Sequence, residues 1–213
     1  MGFDARLLTI YVEYIDAPSL QSCCEYKTNT YCKLDLGDAK RVLYDVANAL
    51  NFIHSRHIIH NDIKPANILY SKERGPVLID FGSAAAESVV HDGGSCWYIP
   101  PEFEKERKRG RPGDIFALGV VLLFLLRKLP LPESSKPRLK WDISLLGQEG
   151  PEADKAGRTM GKWMNMVDRA SNRLKSEANN DIDESLTRTV VDMVAMEVAD
   201  RITGPEIVEV MKN

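Results

Sequence analysis

Four closely spaced polar side chains, Asp62, Lys64, Asn67 and Asp80, are of the types that chemistry on phosphate groups requires. The carboxylate of Asp62 can accept the proton of a hydroxyl group, which is the task of a general base. The ammonium group of Lys64 can balance charge on a phosphoryl group. The amide oxygen of Asn67 and the carboxylate of Asp80 are hard ligands of the kind that Mg²⁺ binds. These residue types at this spacing match the pattern of a phosphoryl-transfer site.

The composition limits the kind of protein that positions these side chains. A chain of 213 residues, 44% hydrophobic and 28% charged, has enough apolar material for one domain with a core. A net charge of −3 gives no reason to expect nucleic acid or an anionic membrane as the main partner. The single basic run, residues 105–111, is interpreted as a solvated loop in preference to a partner-docking patch.

The cysteines favour a reducing compartment, and the apolar runs bear on whether the chain spans a membrane. Cys23, Cys24, Cys32 and Cys96 include no pair with CxxC spacing and form a poor disulfide framework, so we expect free thiols. The N-terminus carries no signal-peptide pattern, which favours an intracellular location, cytoplasmic or nuclear. The longest apolar run, residues 115–126, is shorter than the about 20 residues that a membrane span needs, so no membrane span is predicted.

The elements around the site are predicted to be mainly helices with a few short strands. One amphipathic stripe predicts a helix that is capped by Asp35 or Asp38 and ends near Ser55. The residues of this stripe are Val42, Val46, Ala49 and Ile53. Further helices are expected from Asp114 onward and at residues 160–167, 186–198 and 205–211. Strands are expected at residues 7–14, 58–59, 68–70 and 77–79, and loops at residues 25–34 and 81–98.

The site residues occur inside motifs that resemble those of the eukaryotic-type protein kinase family. Residues 60–67 (HNDIKPAN) resemble its catalytic loop, and residues 80–82 (DFG) resemble its metal-binding triplet. Residues 94–102 (GSCWYIPPE) resemble the end of its activation segment, and residues 114–119 (DIFALG) resemble the start of its central buried helix. The order of these motifs extends the resemblance from the hinge to the end of the large lobe.

The resemblance implies further contacts and a branch of the family. Asp114 would hold the backbone of the catalytic loop, and Arg201 would pair with the activation-segment glutamate, here Glu102. Lys64 resembles the serine/threonine branch, and Ser95 stands where that branch usually has threonine. The implied activity is transfer of the γ-phosphoryl group of ATP to serine or threonine hydroxyl groups of a protein substrate, with ATP and Mg²⁺ as cofactors.

The resemblance also assigns roles around the nucleotide. Asp62 would be the general base with Lys64 beside it, and Asn67 and Asp80 would hold Mg²⁺. The residues expected near the adenine are Val12 as the gatekeeper, the backbone of Glu13 and Ile15, Leu69 as the floor, Ile79, and Ser19, which can also cap a short helix. A second interpretation, that Val12 and Leu69 are ordinary core residues, remains open.

The resemblance implies an unequal division of the chain. Residues 1–18 would be a residual small-lobe strand and hinge, and residues 19–213 the large C-terminal lobe, so the expected architecture is a large lobe without the small-lobe sheet. No GxGxxG occurs in the sequence, and the position of the hinge leaves no room for the strand lysine that grips the phosphates. The strand at residues 7–14 would then be unpaired. It would fold onto the large lobe, or pair with a second copy or another protein.

Asn61 is another departure, because many kinases have an arginine there that binds a phosphate on the activation loop. Ser83, Ser88 and Ser95 are therefore weak candidates for a phosphorylation switch. Three functions remain open: an active compact kinase, a pseudokinase-like binding or regulatory module, and a fragment of a full-length kinase. The complete set of four site residues favours the first, and the missing phosphate-covering parts favour the other two.

Overall fold

In a computed structural model of the chain, helix α3 (Arg111–Leu125) forms the centre of the fold because its apolar side chains cover every face. All of residues 113–125 are buried. At Gly119 a β-carbon would lie 2.6 Å from Val194 and 2.9 Å from Met193, so only glycine permits this close packing. The helix starts before Asp114, its predicted first residue, because Pro112 occupies the first turn, where a proline loses no helical hydrogen bond.

The structure describes residues 2–4, 9–23, 32–89, 94–107, 109–134, 139–177 and 183–212. Cys24, most of the predicted loop at residues 25–34 and part of the predicted strand at residues 7–14 lie outside these ranges. Within them there are five further helices: α1 (Leu36–His54), α2 (Phe103–Glu106), α4 (Pro151–Glu177), α5 (Glu184–Met193) and α6 (Gly204–Met211). Of these, α1, α4 and α5 pack against α3. None of the helices in the described ranges is long and apolar enough to cross a membrane.

The predicted helices are present, with changes at their ends. α1 ends one residue before the predicted Ser55, and α6 begins within one residue of its prediction. α4 starts well before residues 160–167, because its first two turns bury only the small side chains of Ala153 and Ala156 and so show no strong apolar period. α5 stops at Met193, short of residue 198, and a 3₁₀ turn follows at Val198–Asp200.

The strands of the described chain form three two-stranded antiparallel sheets. The pairs are β1 (Gly2–Asp4) with β2 (Thr9–Tyr11), β3 (Ile58–Ile59) with β6 (Ala85–Ala86), and β4 (Ile68–Ser71) with β5 (Gly75–Leu78). β6 falls in the segment predicted as a loop, because its alanines carry no strand signature and pairing with β3 alone defines it. The prediction of a mainly α-helical fold with a few short strands is confirmed.

The described part of the strand predicted at residues 7–14 is paired, so the expectation of an unpaired strand was wrong. β2 pairs with β1, and Gly2 faces Tyr11 in the register. Sequence reasoning missed the pairing because residues 2–4 form too short a run to show strand periodicity. A partner strand from another molecule is therefore not needed to satisfy this edge of β2.

The segment after β2, which was predicted to be the hinge, is attached to the β4–β5 hairpin. Ser19 and Leu69 form an isolated antiparallel bridge. Arg74 donates from Nη1 and Nη2 to the carboxylate oxygens of Glu13 at 2.5 and 2.9 Å. These contacts place the predicted hinge beside β4 and the turn that connects β4 with β5.

The start of α1 carries a reciprocal cap that predicts a measurable loss of stability. Asp35 Oδ1 accepts a hydrogen bond from the Asp38 amide at 2.8 Å, and Asp38 Oδ2 accepts from the Asp35 amide at 3.2 Å. Replacing Asp35 by alanine is expected to lower the free energy of unfolding, measured in urea, by about 1 kcal/mol. The control Asp45→Ala makes the same charge change inside α1 and should cost less than about 0.5 kcal/mol. Equal losses in both variants would contradict the cap.

Candidate active site

A buried carboxylate on the central helix fixes the backbone of the loop that carries the candidate catalytic residues. Asp114 is 3% exposed, and its Oδ1 accepts a hydrogen bond from the Asn61 amide at 3.0 Å. Its Oδ2 accepts from the His60 amide at 2.9 Å and lies 2.9 Å from Nε2 of His54. Because these donors satisfy the buried charge, the loop is bonded directly to the most buried helix. This is the contact that the resemblance implied for Asp114.

Arg109 holds the same loop from another direction. Its Nη1 donates to the carbonyl oxygen of Asn61 at 2.6 Å, and Asn61 has a left-handed backbone with a φ of 64°. Gly94 packs on this contact with a φ of 108°, and a β-carbon there would lie 2.7 Å from the Asn61 carbonyl oxygen. Position 94 therefore requires glycine. The interpretation of residues 105–111 as a solvated loop was wrong. Its ends belong to α2 and α3, and Arg109 is half-buried.

His60 is completely buried and joins the loop to the end of β5. Its Nε2 lies 3.2 Å from the carbonyl oxygen of Ile79, and its Nδ1 lies 3.4 Å from the Asp62 amide nitrogen. A neutral ring that donates from Nε2 and accepts at Nδ1 satisfies both contacts. Burial lowers the pKa of His60, which favours this neutral form. The ring also packs on Phe81, with centroids 4.8 Å apart. His60 was not predicted as a site residue, although it is the first residue of the loop motif.

Asp62 is the centre of a hydrogen-bond network that includes two other predicted catalytic residues. Its Oδ2 accepts from Nζ of Lys64 at 2.6 Å and from Nδ2 of Asn67 at 3.0 Å. Its Oδ1 accepts from Oγ of Ser95 at 3.0 Å, and Lys64 also donates to Ser95 at 3.0 Å. These bonds fix the direction of a carboxylate that is only 8% exposed. Ser95, which the sequence marked only as a branch feature, is therefore part of the site.

Asn67 and Asp80, the predicted metal ligands, are brought together by the backbone. The Ile79 amide donates to the carbonyl oxygen of Asn67 at 2.9 Å, so Asp80 follows directly on this contact. Both N–H groups of the Asn67 side chain are used, by the backbone oxygen and Oδ2 of Asp62 at 2.9 and 3.0 Å, which leaves its Oδ1 for a cation. Asp80 is exposed and has a left-handed backbone.

The chemistry of this donor pair fits Mg²⁺, which prefers oxygen ligands and usually takes one or two protein groups together with phosphate and water. In the part of the chain that the structure describes, no group of three or more His, Cys, Asp or Glu side chains could hold a metal ion by itself. A cation at Asn67 and Asp80 would take the rest of its coordination from water or from a phosphate-bearing ligand.

Few contacts connect the residues that were predicted to lie near the adenine. Ser19, Leu69, Ile79 and Ile15 are half-buried, and the bridge between Ser19 and Leu69 joins two of them. Val12 is 71% exposed, so the interpretation of Val12 as a core residue is wrong. Among the described residues, no hydrogen bond or strand pairing connects Val12 with Leu69.

The implied pair between the activation segment and the C-terminal part of the chain is present. Arg201 donates from Nη1 and Nη2 to the two carboxylate oxygens of Glu102 at 2.7 and 2.9 Å. Arg201 also donates to the carbonyl oxygens of Ala195 and Pro112, and its side chain is fully buried. The end of the activation segment is therefore tied to α3 and to the turn that follows α5.

A cavity of about 710 Å³ opens beside Ser95, next to the Asp62 network. Trp97 and Trp141 line it and are 7% and 5% exposed. Within the described part of the chain, the indole N–H of Trp141 has no acceptor. Burial raises the pKa of the Cys96 thiol in this wall, which favours its protonated form. The lining therefore mixes the apolar side chains of Trp97, Trp141 and Ile143 with polar ones, and the Trp141 indole adds a spare donor.

Comparison with known proteins agrees with this geometry. The family model described as "Protein kinase domain" matches residues 4–211. The chain is 34% identical over 97 residues to the mitosis inhibitor protein kinase mik1 of Schizosaccharomyces pombe and 37% identical over 105 residues to an Aurora kinase of Debaryomyces hansenii. It is 27% identical over 191 residues to cyclin-dependent kinase 9 of Xenopus tropicalis. These matches cover 44%, 46% and 82% of the chain and span 17%, 26% and 48% of the three relatives.

Proposed function

This chain belongs to the protein kinase domain family, and on that basis we propose that it transfers the γ-phosphoryl group of ATP to serine or threonine hydroxyl groups of a protein substrate. The observation that carries the proposal is the network around Asp62, in which Lys64, Asn67 and Ser95 all bond to one carboxylate. Phosphoryl transfer requires a positioned proton acceptor and balanced charge more than covalent chemistry by the protein.

Each member of the network has a task in this proposal. Asp62 orients the incoming hydroxyl group and accepts its proton. Lys64 lies 2.6 Å from Asp62 and supplies positive charge where the phosphoryl group arrives. Asn67 Oδ1 and the neighbouring Asp80 would hold Mg²⁺, which would neutralise charge on the phosphates when bound.

The serine/threonine assignment is supported by the two residues that suggested it. Lys64 and Ser95 bond to each other and to Asp62, so they border the path by which a substrate hydroxyl group would reach this carboxylate. The cavity beside Ser95 gives a peptide segment a place next to that path. The residues proposed to contact the adenine are Val12, Glu13, Ile15, Ser19, Leu69 and Ile79.

A second candidate is a pseudokinase-like binding or regulatory module that engages nucleotide or protein without turnover. The exposure of the proposed hinge favours it, because Val12 and Tyr14 are 71% and 85% exposed and offer little cover to a nucleotide. A segment of a full-length kinase, when it is studied alone, would likewise bind without turnover.

Phosphate transfer from γ-labelled ATP to a general protein substrate in the presence of Mg²⁺ tests the proposal. The wild type is expected to transfer label, and Asp80→Ala is expected to lose transfer. Because Asp80 is exposed, its removal should leave the fold intact, as circular dichroism would show. Equal labelling by both proteins would exclude catalysis by this site.

A thermal-shift titration with ATP and Mg²⁺ separates the two candidates. A ligand that binds only the folded state stabilises it by about 2.7 kcal/mol at a hundredfold excess over its Kd. Stabilisation of the wild type without label transfer would favour the binding module. The absence of both would contradict the kinase and a module that binds nucleotide, and it would leave only a module that binds protein.

A further inference from the structure

A groove of about 640 Å³ lies outside the catalytic network, between α2, the middle of α4 and the turn that follows α5. We call it the α2–α4 groove. Its lining combines an apolar floor, an acidic rim and one glycine in the middle of a long helix. None of these features is needed by the phosphoryl-transfer site.

The floor of the α2–α4 groove consists largely of methionines. Met160 and Met164 of α4 are 1% and 9% exposed and form its base, whereas the half-buried Met196 and the 39% exposed Val198 lie in the turn after α5. Methionine side chains are unbranched and polarisable, so they adapt to apolar groups of different shape and are common at peptide-binding surfaces. The apolar surface that a ligand could reach in this groove is therefore that of Met196 and Val198, in the turn that follows α5.

Gly161 keeps this groove open. Glycine is among the least favourable residues in the interior of a helix, and Gly161 lies well inside the 27-residue α4. One turn earlier, a β-carbon at Gly157 would lie 2.7 Å from Oε1 of Glu104, the end of an exposed side chain that can move aside. At Gly161 a β-carbon would meet no atom within 4 Å. The missing side chain is therefore explained by the groove rather than by packing.

The rim concentrates negative charge. The residues that line the groove carry five carboxylates and one ammonium group, whereas the whole chain has a net charge of only −3. Glu102 is neutralised by Arg201. In the described ranges, no salt bridge involves Glu104, Glu106 or Glu197. These carboxylates therefore remain available to cations of a partner.

We propose that the α2–α4 groove binds an amphipathic helix of a protein partner, with lysine and arginine on either side of its apolar face. An apolar groove accommodates the apolar face of a helix, and a charged rim selects the opposite charge on the flanks. The accessible apolar side chains and the charges of the rim both contribute to affinity, and the rim also raises the association rate and makes it depend on salt. This binding is independent of turnover at Asp62.

Fluorescence anisotropy with a labelled synthetic helix of about 18 residues, five helical turns, tests the proposal. The probe has leucines on one face and arginines on the flanks, and a matched peptide carries glutamate in place of arginine. The wild type is expected to bind the basic peptide saturably, to bind it more weakly at high salt, and not to bind the acidic one. Failure of the wild type to bind the basic peptide would overturn the proposal.

Two sets of variants distinguish binding in the α2–α4 groove from general electrostatic attraction of the basic peptide to the protein. Gly161→Leu fills the groove with a side chain that has room and favours helix, so affinity should fall at least about tenfold without a lower Tm. Glu104→Gln/Glu197→Gln should weaken binding several-fold, whereas Glu149→Gln/Glu209→Gln, the same charge change away from the groove, should not. Unchanged binding by Gly161→Leu, or equal losses in both double variants, would overturn the proposal.

Discussion

Replacement of Asp62 by asparagine is expected to lower the rate of phosphoryl transfer by about 10²–10⁴-fold, the usual contribution of a general base. Asparagine has nearly the same shape but cannot accept the proton of the substrate hydroxyl group. It also places an N–H group or a neutral oxygen where Lys64 now meets a carboxylate oxygen at 2.6 Å. The steady-state rate with ATP, Mg²⁺ and a protein substrate measures the effect.

Two controls make the Asp62 prediction specific. Asp45→Asn on α1 makes the same chemical change away from the site and should leave the rate unchanged. Ser95→Ala removes one hydroxyl bonded to Asp62 but keeps the base, so its loss of rate should be smaller. A rate for Asp62→Asn within a few-fold of the wild type, with its fold preserved, would show that Asp62 does not act as the base.

Replacement of Arg201 by methionine is expected to destabilise the protein by about 3–5 kcal/mol, because it leaves Glu102 as an unpaired and largely buried charge. It also removes the donor to the carbonyl oxygens of Ala195 and Pro112. Total stabilities of domains are about 5–15 kcal/mol, so a loss of this size approaches unfolding. Urea unfolding followed by circular dichroism measures it.

A double-mutant cycle completes the Arg201 experiment. Glu102→Gln in the Arg201→Met background removes the unpaired charge and should recover part of the stability, so the two changes should not be additive. Arg188→Met replaces an exposed arginine on α5 and should cost less than about 0.5 kcal/mol. A loss below about 1 kcal/mol for Arg201→Met would contradict a structural role for the pair.

The parts of the fold that could be predicted are those with a strong local signal. α1 and α3 have clear apolar patterns, and the family motifs anticipated the contacts of Asp114 with the loop and of Arg201 with Glu102. The site residues that were missed have no such signal. Ser95 and Arg109 reach the catalytic loop across 33 and 48 positions of sequence, so only the fold reveals their contacts.

The remaining differences between the predicted and the observed elements have the same physical origin. The pairing of β1 with β2 and of β3 with β6 joins segments of two or three residues, which are too short to show a period of their own. Their conformation depends on the partner strand, and the partner is defined only by tertiary structure. The first part of α4 buries small side chains and escapes detection for a related reason.

The attachment of the catalytic loop to Asp114 has a consequence for how the protein loses its site. The amide hydrogens of His60 and Asn61 are bonded to a carboxylate on the most buried helix, although they belong to a loop. Most loops open locally at little cost, whereas elements bonded to the core open only together with it, as one cooperative unit. The geometry around Asp62 is therefore as stable against opening as the core itself, and it is lost only when the domain as a whole unfolds.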